Sequence, residues 1–377
     1  MSESEYDSEE ELLISESGSD SETEEIFSET SNEDDSENED VVPFREFVEV
    51  DLNNLVPAPP RYPFTNTPGI SIVFNKAEPD ILDYFEFFWN SEIMDLITLE
   101  TNRYAIQSKP SGVLGKFSRW KDWQSTNNNE LYVFLALHIL QGIVCKPICE
   151  WYWSRKDNIA TPFFGKVMSY KRFALLKRYL HFVDNSTYDA NIHPNPKLYK
   201  LWPIVEHLNI KFSSALVPDR DITIDESLML YKGRLGWIQF IPLKRARFGI
   251  KSYMLCESKS GYIWSVIIYT GKGTLLDESY KDHCMGTKIV MTLMKPLLNM
   301  GHCLTTDNFY TSPELSDILL QYRTDTYGTL RLNRKEVPKE LQKKKTKKGR
   351  DFGVSEGKGL CNEMERQKRC FLVVFNS

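Results

Sequence analysis

The first 40 residues contain no lysine or arginine, although they carry 18 acidic side chains. The whole chain has 46 basic and 53 acidic residues, so the remainder holds 46 basic against 35 acidic side chains, a net charge of +11. An acidic tail on a basic body is typical of a protein whose body meets polyanions and whose tail tempers that contact. The alternative is a tail that only increases solubility.

The sequence also has few cysteines and no long hydrophobic run. Seven cysteines spread over 377 residues do not form a disulfide framework. Cys145 and Cys149 lie four residues apart, but no second pair of Cys or His completes a zinc site. The longest apolar run, residues 134–145, is interrupted by His138 and Gln141 and is too short to span a bilayer. With no basic secretory signal at the N-terminus, these features predict a soluble intracellular protein with no membrane partner.

Composition divides the N-terminal part of the chain into two segments. Residues 1–56 are predicted to form an acidic disordered tail, because their first 42 residues bury too little apolar surface to offset the entropy of ordering. Residues 57–74 are predicted to be an extended linker, since residues 57–68 contain five prolines.

Residues 75–219 are predicted to form a mainly helical region. Apolar residues recur at helical spacing after Asp80, after the capping sequence "NNNE" and after Ser169. His138 and His181 lie on two of these runs. Each is more typical of a hydrogen-bonded packing residue than of a metal ligand.

From residue 220 the pattern changes to β-branched and aromatic runs bounded by Gly, Asp and Ser, which are "DITIDESLMLY", "GIKSYMLCES", "YIWSVIIYTG", "GHCLTTDNFY" and "YGTLRL". A helical run precedes each of the last two. The order β-β-β-α-β-α-β over residues 220–335 predicts an α/β fold, with a mixed five-stranded sheet and helices on its faces. Residues 336–377 have no clear period and are predicted to be a basic, divergent tail. Their run "KKKTKKGR" is typical of a solvated loop, a phosphate contact or a nuclear-import signal.

Two aspartates in this core are candidate metal ligands. Asp225 falls in the first predicted strand and Asp307 at the end of the fourth, and these strands are expected to be neighbours where the sheet changes direction. Two carboxylates at close range repel each other unless a cation lies between them. Oxygen ligands favour Mg²⁺ or Mn²⁺. The alternative is that both aspartates cap turns.

The cations that surround Asp225 in the sequence predict contacts with DNA phosphates. Metal ions held by such carboxylates activate an attacking oxygen and stabilise a leaving one in phosphodiester chemistry. The predicted phosphate contacts are Lys232, Arg234, Lys244, Arg245, Arg247 and Lys251. The alternative is that these cations only face solvent.

An ordered set of motifs resembles the piggyBac transposase family. The segments "TIDE…KGR…FIPLK…FGIK", "SGYIWSVIIYTGKG", "LTTDNFYTS" and "YGTLRLNRKEVPKEL" are similar to successive signatures of that family, as are "WYWS", "MSYKRF", "LHFVDN" and "LYKLWP" upstream. They run in order from about residue 75 to about residue 350. One departure is Lys244-Arg245, where the family usually has Lys-Pro.

The resemblance implies a ribonuclease-H-like core flanked by a helical dimerisation and DNA-binding region. It also implies a nuclear homodimer that carries out cut-and-paste transposition of double-stranded DNA at TTAA sites, using three aspartates and Mg²⁺. Asp225 and Asp307 match the first two aspartates. Other family positions, with DNA-contact or structural roles, are matched by Arg234, Lys251, Asn308, Asn333 and Arg334.

The third family aspartate has no clear counterpart in this sequence. It lies in a motif resembling "KWKDKRDV" on a helix after the fifth strand, and this chain has neither that string nor the family's Cys-rich zinc segment. Glu363 and Glu365 are the nearby acids, and Glu365 is a weak surrogate. Plausible codons for residues 362–370 encode "MKWKDKKD" when read one base over, which predicts a frameshift between about residues 350 and 361.

The predicted loss of one carboxylate implies impaired strand transfer. The alternatives are an active enzyme with a replacement acid, a non-catalytic protein that binds DNA or itself, and a functionless relic. Sequencing the transcript across the codons for residues 345–377 tests the frameshift.

Overall fold

The structure, a computed structural model, describes residues 61–112, 118–242 and 244–331, Arg334, Val337, and the backbone of four further strands. Its helices are α1 Ile81–Phe88, α2 Ser91–Gln107, α3 Asn128–Ile143, α4 Pro162–Val167, α5 Tyr170–Tyr179, α6 Trp202–Ala215, α7 Met285–Met294 and α8 Pro313–Gln321. Its strands are β1 Val48–Glu49, β2 Gly69–Ile70, β3 Leu216–Val217, β4 Asp221–Leu230, β5 Gln239–Phe240, β6 Phe248–Glu257, β7 Ile263–Ile268, β8 Cys303–Thr306, β9 Asp325–Leu330, β10 Phe352–Glu356, β11 Gly359–Met364 and β12 Arg369–Val374.

Capping side chains begin the three helices predicted from the sequence. Asp80 accepts hydrogen bonds from the backbone at the start of α1, and Asn127 and Ser169 do the same for α3 and α5. These predictions are confirmed. The 17-residue helix α2 and helix α6 were not predicted, because polar and apolar residues alternate along them without a clear stripe.

The helical region has its own apolar core between α2, α3 and α5. Met94, Leu131, Phe134, Phe173 and Leu176 are each at most 1% exposed within it. This burial, rather than intrinsic propensity, stabilises the three helices. Within the described ranges, no helix combines the length and the apolar character that a membrane crossing needs.

His138 and His181 are packing residues, as predicted. The Nδ1 of His138 lies 2.9 Å from the carbonyl oxygen of Phe134, and its ring stacks on Phe173. The ring of His181 stacks on Tyr104 with centroids 4.1 Å apart, and its Nε2 lies 3.0 Å from Asn185 Oδ1.

The five predicted strands are adjacent to one another in the order β7-β6-β4-β8-β9. β4 pairs parallel with β8, and β8 with β9, whereas β6 runs antiparallel to β4 and β7. Helices α7 and α8 connect β7 to β8 and β8 to β9, and they pack on the sheet around Ile224, Ile289, Val290, Leu304 and Leu319. The predicted mixed sheet with helices is therefore confirmed.

The sheet is wider than predicted, because the described part of the chain contributes ten strands to it instead of five. β12 pairs with β9, and β10, β11 and β12 form an antiparallel meander within residues 336–377, the segment predicted to be a basic, divergent tail with no clear period. Strands of five or six residues, interrupted by Gly and charged residues, show no repeat that a sequence pattern detects. β1, inside the predicted disordered tail, pairs with β10. The rest of residues 1–56 lies outside the described residues.

The predicted linker packs against the core and is not a free spacer. Tyr62 donates its hydroxyl to the carbonyl of Leu320 at 2.9 Å, and the Thr65 amide donates to Met300 at 3.1 Å. Gly301 adopts a left-handed φ of 79°, and a Cβ there would collide with the carbonyl oxygen of Pro63. Extended residues 61–66 therefore lie directly on the loop before β8.

Helix α6 connects the helical region to the sheet. Asn209 donates to the carbonyl of Val266 at 2.9 Å and accepts from its amide at 2.8 Å, which satisfies the open edge of β7. The indole of Trp264 donates to Leu216 at 3.0 Å. These bonds fix the helical region beside β7.

Candidate active site

The parallel pairing of β4 and β8 places two aspartates at one end of the sheet. The last register pair between these strands is Ile224 with Thr306, and Asp225 and Asp307 follow directly. Both aspartates are exposed, whereas Ile224 is 1% exposed in the core beneath them. The two carboxylates therefore emerge side by side from a rigid base.

Glu226 completes a group of three carboxylates. Asp225, Glu226 and Asp307 each offer an oxygen that lies within 4.8 Å of the other two. Among the described residues, this is the one group of three or more His, Cys, Asp or Glu side chains at such spacing. Cys145 and Cys149, both free thiols, are not part of any such group.

Glu226 was not among the predicted metal ligands, because neighbouring residues of a strand point to opposite faces. The pairing with β8 ends at Ile224, so the flank of β4 is open beyond it and the longer glutamate side chain reaches the same space. The adjacent acidic residues in "TIDE" were the sequence feature that could have indicated Glu226 as a further ligand.

The three carboxyl groups have different protonation tendencies. Burial raises the pKa of Asp225 and of Asp307, and the negative charge of Glu226 raises both further. Burial acts on Glu226 in the same direction. However, the hydrogen bond and charge of Lys244 outweigh it and hold the pKa of Glu226 below its usual value.

A tight turn after β8 orients Asp307. Its Oδ1 accepts a hydrogen bond of 2.9 Å from the amide of Phe309. Its carbonyl oxygen accepts from the Thr311 amide at 3.0 Å and from the Thr311 hydroxyl at 2.7 Å. The carboxylate is thus held by backbone and side-chain bonds before any ligand binds.

Arg334 supports this turn from the segment after β9. Its guanidinium donates to the carbonyl oxygens of Asn308 and Phe309, and Arg331 donates to Asn308 Oδ1 at 3.2 Å. Arg334 and Asn308 were predicted to have either a DNA-contact or a structural role. The hydrogen bonds between them and within this turn are structural. Asn333 lies outside the described residues.

Lys251 occupies a different environment from the other predicted DNA contacts. It is 3% exposed, and its Nζ lies 5.1 Å from the ring centre of Tyr253, 5.3 Å from that of Phe309 and 5.6 Å from that of Tyr269. Its charge acts on Glu226. A buried ammonium group in an aromatic cage does not reach a DNA backbone, so Lys251 lines the site from within.

The remaining predicted cations lie in the segment between β4 and β6. Lys232, Arg234, Arg245 and Arg247 are exposed there. Lys244 is half-buried, and its Nζ lies 3.0 Å from Glu226 Oε1. This segment therefore presents four exposed positive residues, and its Lys244 contacts the carboxylate group.

The residues present fit a divalent cation. All donors in the group are carboxylate oxygens, which Mg²⁺ and Mn²⁺ prefer. Burial and the charge of Glu226 raise the pKa values of Asp225 and Asp307, and a bound cation would offset both effects. Glu365, the weak surrogate for a third aspartate, lies outside the described residues.

Comparisons with known proteins identify the family. A family model described as Transposase IS4 matches residues 80–377, most of the chain. Human PiggyBac transposable element-derived protein 2 is 27% identical over 285 residues, which are 73% of this chain and 45% of that protein. Human PiggyBac transposable element-derived protein 3 is 28% identical over 286 residues, 74% of this chain and 44% of that protein. The chain belongs to the piggyBac-type transposase family.

A solved piggyBac structure has the same fold. The cryo-EM structure of a piggyBac transposase synaptic complex with hairpin DNA superposes with a TM-score of 0.71 at 24% identity. The superposition covers 83% of this chain and 64% of that one. The chain spans about half the length of the curated piggyBac relatives that it matches.

The piggyBac family match extends through residue 377 and so includes the segment in which a frameshift is predicted. In the described part of that segment, β9 is followed by strands β10, β11 and β12. The frameshift itself stays a prediction, because only the codons of the transcript test it.

Proposed function

We propose that this chain is a DNA-binding member of the piggyBac-type transposase family that binds a divalent cation, Mg²⁺ or Mn²⁺, at Asp225 and Asp307. The observation that carries this proposal is the convergence of the two aspartates where the parallel pairing of β4 with β8 ends, together with an exposed cationic segment between β4 and β6. The related solved structure is a transposase in complex with hairpin DNA, which supports DNA as the partner.

A ribonuclease-H-like core is part of the proposal. In chain order its strands are β4, β6, β7, β8 and β9, and the sheet places the third, second, first, fourth and fifth side by side. The first three alternate in direction and the last two run parallel to the first. This order supports a ribonuclease-H-like assignment and puts the first and fourth strands, with their aspartates, at its centre.

Asp225 and Asp307 would hold the cation, with Glu226 as the third nearby carboxylate. When bound, the cation would supply charge neutralisation and activation of an oxygen nucleophile for phosphodiester cleavage. The chain's own residues fix the site: the turn at Asp307 orients one carboxylate, and β4 orients the other. Lys251, caged by aromatic rings, lies behind Glu226 in the site.

Lys232, Arg234, Arg245 and Arg247 are proposed to bind DNA phosphates. They are exposed and lie in the segment between β4 and β6, whose Lys244 contacts Glu226. Charge contacts of this kind give binding that weakens steeply with salt. A nuclear homodimer acting on TTAA-containing transposon ends is the corresponding proposal from the family resemblance.

Strand cleavage by this chain is proposed to be impaired. The family resemblance implies three aspartates, whereas the described carboxylate group contains two aspartates and Glu226, which is paired with Lys244. Catalytic groups that act as a unit lose most of their effect when one is missing.

The proposal is tested with the full chain and its Asp225→Asn variant. Thermal unfolding with and without Mn²⁺ measures cation binding. Fluorescence anisotropy of a labelled duplex at several salt concentrations measures DNA binding. Nicking of supercoiled DNA in the presence of Mg²⁺ or Mn²⁺ measures cleavage. We expect Mn²⁺ to stabilise the wild type but not the variant, salt-sensitive duplex binding by both, and little or no Asp225-dependent nicking.

Three results would change this assignment. Equal stabilisation of wild type and variant by Mn²⁺ excludes the metal site. Duplex binding that is absent or independent of salt excludes the DNA role. Efficient nicking that Asp225→Asn abolishes shows an active enzyme and removes the proposed impairment.

A further inference from the structure

Lys244 and Glu226 form an ion pair at the edge of the carboxylate group. The Nζ of Lys244 lies 3.0 Å from Glu226 Oε1, and the two side chains are 40% and 18% exposed. Glu226 has an oxygen within 4.8 Å of both Asp225 and Asp307. One of the three carboxylates is thus engaged by a cation that belongs to the protein.

The two lysines near Glu226 differ in their freedom to leave it. Lys251 is 3% exposed and is enclosed by three aromatic rings, so its position is fixed. Lys244 is 40% exposed, and its flexible stem can turn toward solvent. Lys244 is therefore the cation that can exchange Glu226 for another anion.

The loop that carries Lys244 also carries the exposed arginines. The Ile241 amide donates to Arg247 at 2.7 Å, the Lys244 amide to Ile241 at 3.1 Å and the Arg247 amide to Lys244 at 3.1 Å. These bonds close a compact turn from which Arg245 and Arg247 project into solvent. A phosphate backbone bound by the two arginines would lie close to the Lys244 amine.

We infer that Lys244 couples DNA binding to cation binding at the carboxylate group. Without DNA, Lys244 holds Glu226 in the ion pair. With DNA, a phosphate takes the Lys244 amine, and Glu226 becomes the third carboxylate around the divalent cation. The inference rests on the proposed function and deepens it, because Glu226 then supplies a third oxygen ligand for cation binding. Glu226 lies on β4, whereas the third aspartate that the family resemblance implies lies on a helix after the fifth strand, so the proposed impairment of strand cleavage is unchanged.

The coupling has a defined thermodynamic form. Removing the competing positive charge of Lys244 and freeing Glu226 both increase the attraction of the site for a divalent cation. Because binding linkage is reciprocal, DNA must raise the affinity for the cation by the same factor as the cation raises the affinity for DNA. A factor of roughly fivefold or more is typical of such coupling.

The experiment measures Mn²⁺ binding to the full chain by the EPR signal of free Mn²⁺, with and without a short duplex. A duplex-only titration corrects for Mn²⁺ bound by the DNA. In the wild type, the duplex should strengthen Mn²⁺ binding by roughly fivefold or more. Lys244→Met should bind Mn²⁺ about as tightly without DNA as the wild type does with it, and the duplex should add nothing.

Three variants make the result specific. Lys244→Arg keeps the charge and should restore the effect of DNA. Glu226→Gln should bind Mn²⁺ weakly in both conditions. Lys259→Met removes an exposed charge in the turn between β6 and β7 and should behave like the wild type. Thermal unfolding checks that each variant is folded.

The outcomes separate this inference from the proposed function. If Mn²⁺ binding depends on Asp225 but Lys244→Met leaves both the affinity and the effect of DNA unchanged, the inference is wrong and the metal site stands. If Lys244→Met weakens Mn²⁺ binding, Lys244 supports the site instead of competing with the cation, and the inference is also wrong. If the wild type shows no Asp225-dependent Mn²⁺ binding, both fail.

Discussion

Ile224 of β4 and Thr306 of β8 form the last pair of a parallel ladder, and each is followed directly by an aspartate. The distance between Asp225 and Asp307 is therefore set by the backbone of two buried strands and not by contacts between the side chains. Burial raises the pKa of both carboxyl groups, and the negative charge of Glu226 raises both further. These carboxyl groups therefore lower the free energy of unfolding until a cation binds between them.

Asp225→Asn is expected to stabilise the cation-free protein at neutral pH. The neutral amide removes repulsion with Glu226 and Asp307, and a gain of about 1 kcal/mol or less is expected for a group this exposed. The same variant should lose the stabilisation by Mn²⁺. Differential scanning calorimetry with and without Mn²⁺ measures both, and Asp157→Asn, at an exposed loop position, serves as the control. A less stable cation-free variant would contradict the repulsion.

The pH dependence of stability gives an independent check on these carboxyl groups. The folded-state pKa values of Asp225 and Asp307 are raised, so both groups bind protons more tightly in the folded than in the unfolded protein. Their contribution to folding is fully present below the unfolded pKa of about 4 and is lost as the pH rises through the folded pKa. The stability gained by Asp225→Asn should therefore grow with rising pH in urea titrations. A gain that shrinks toward neutral pH would show that the pKa of Asp225 is not raised.

The proximity of Asp225 and Asp307 could be predicted because it follows from strand order, and the order β-β-β-α-β-α-β was visible in the residue pattern. The starts of the helices at Asp80 and after Ser169 were also visible, because the residues that begin a helix act by local chemistry. Glu226 could not be assigned, because its approach depends on where the pairing of β4 with β8 ends. The cage around Lys251 joins rings from β6, from the residue after β7 and from the turn after β8, and no local pattern encodes such a contact.

Gly301→Ala tests whether residues 61–66 are part of the folded core. A Cβ at Gly301 would collide with the Pro63 carbonyl, and the left-handed backbone adds strain, so we expect a loss of at least about 2 kcal/mol. Gly261 has a similar φ of 72° but open space around it, so Gly261→Ala should cost only about 1 kcal/mol. Chemical denaturation of the two variants measures the difference. Equal losses would mean that Pro63 does not pack against Gly301.

Arg245→Ala and Arg247→Ala test the cationic turn as a DNA-binding surface. Each variant should reduce the slope of log affinity against log salt concentration by about 1, because each lost phosphate contact releases about one fewer counterion. In the double variant the slope should fall by about 2. Lys259→Ala, on the turn between β6 and β7, removes the same charge away from the carboxylates and should leave the slope unchanged. Fluorescence anisotropy with one labelled duplex at several salt concentrations gives the slopes. If all three single variants shift the slope equally, the turn next to Lys244 is not a distinct binding surface and DNA interacts only with the overall positive charge of the body.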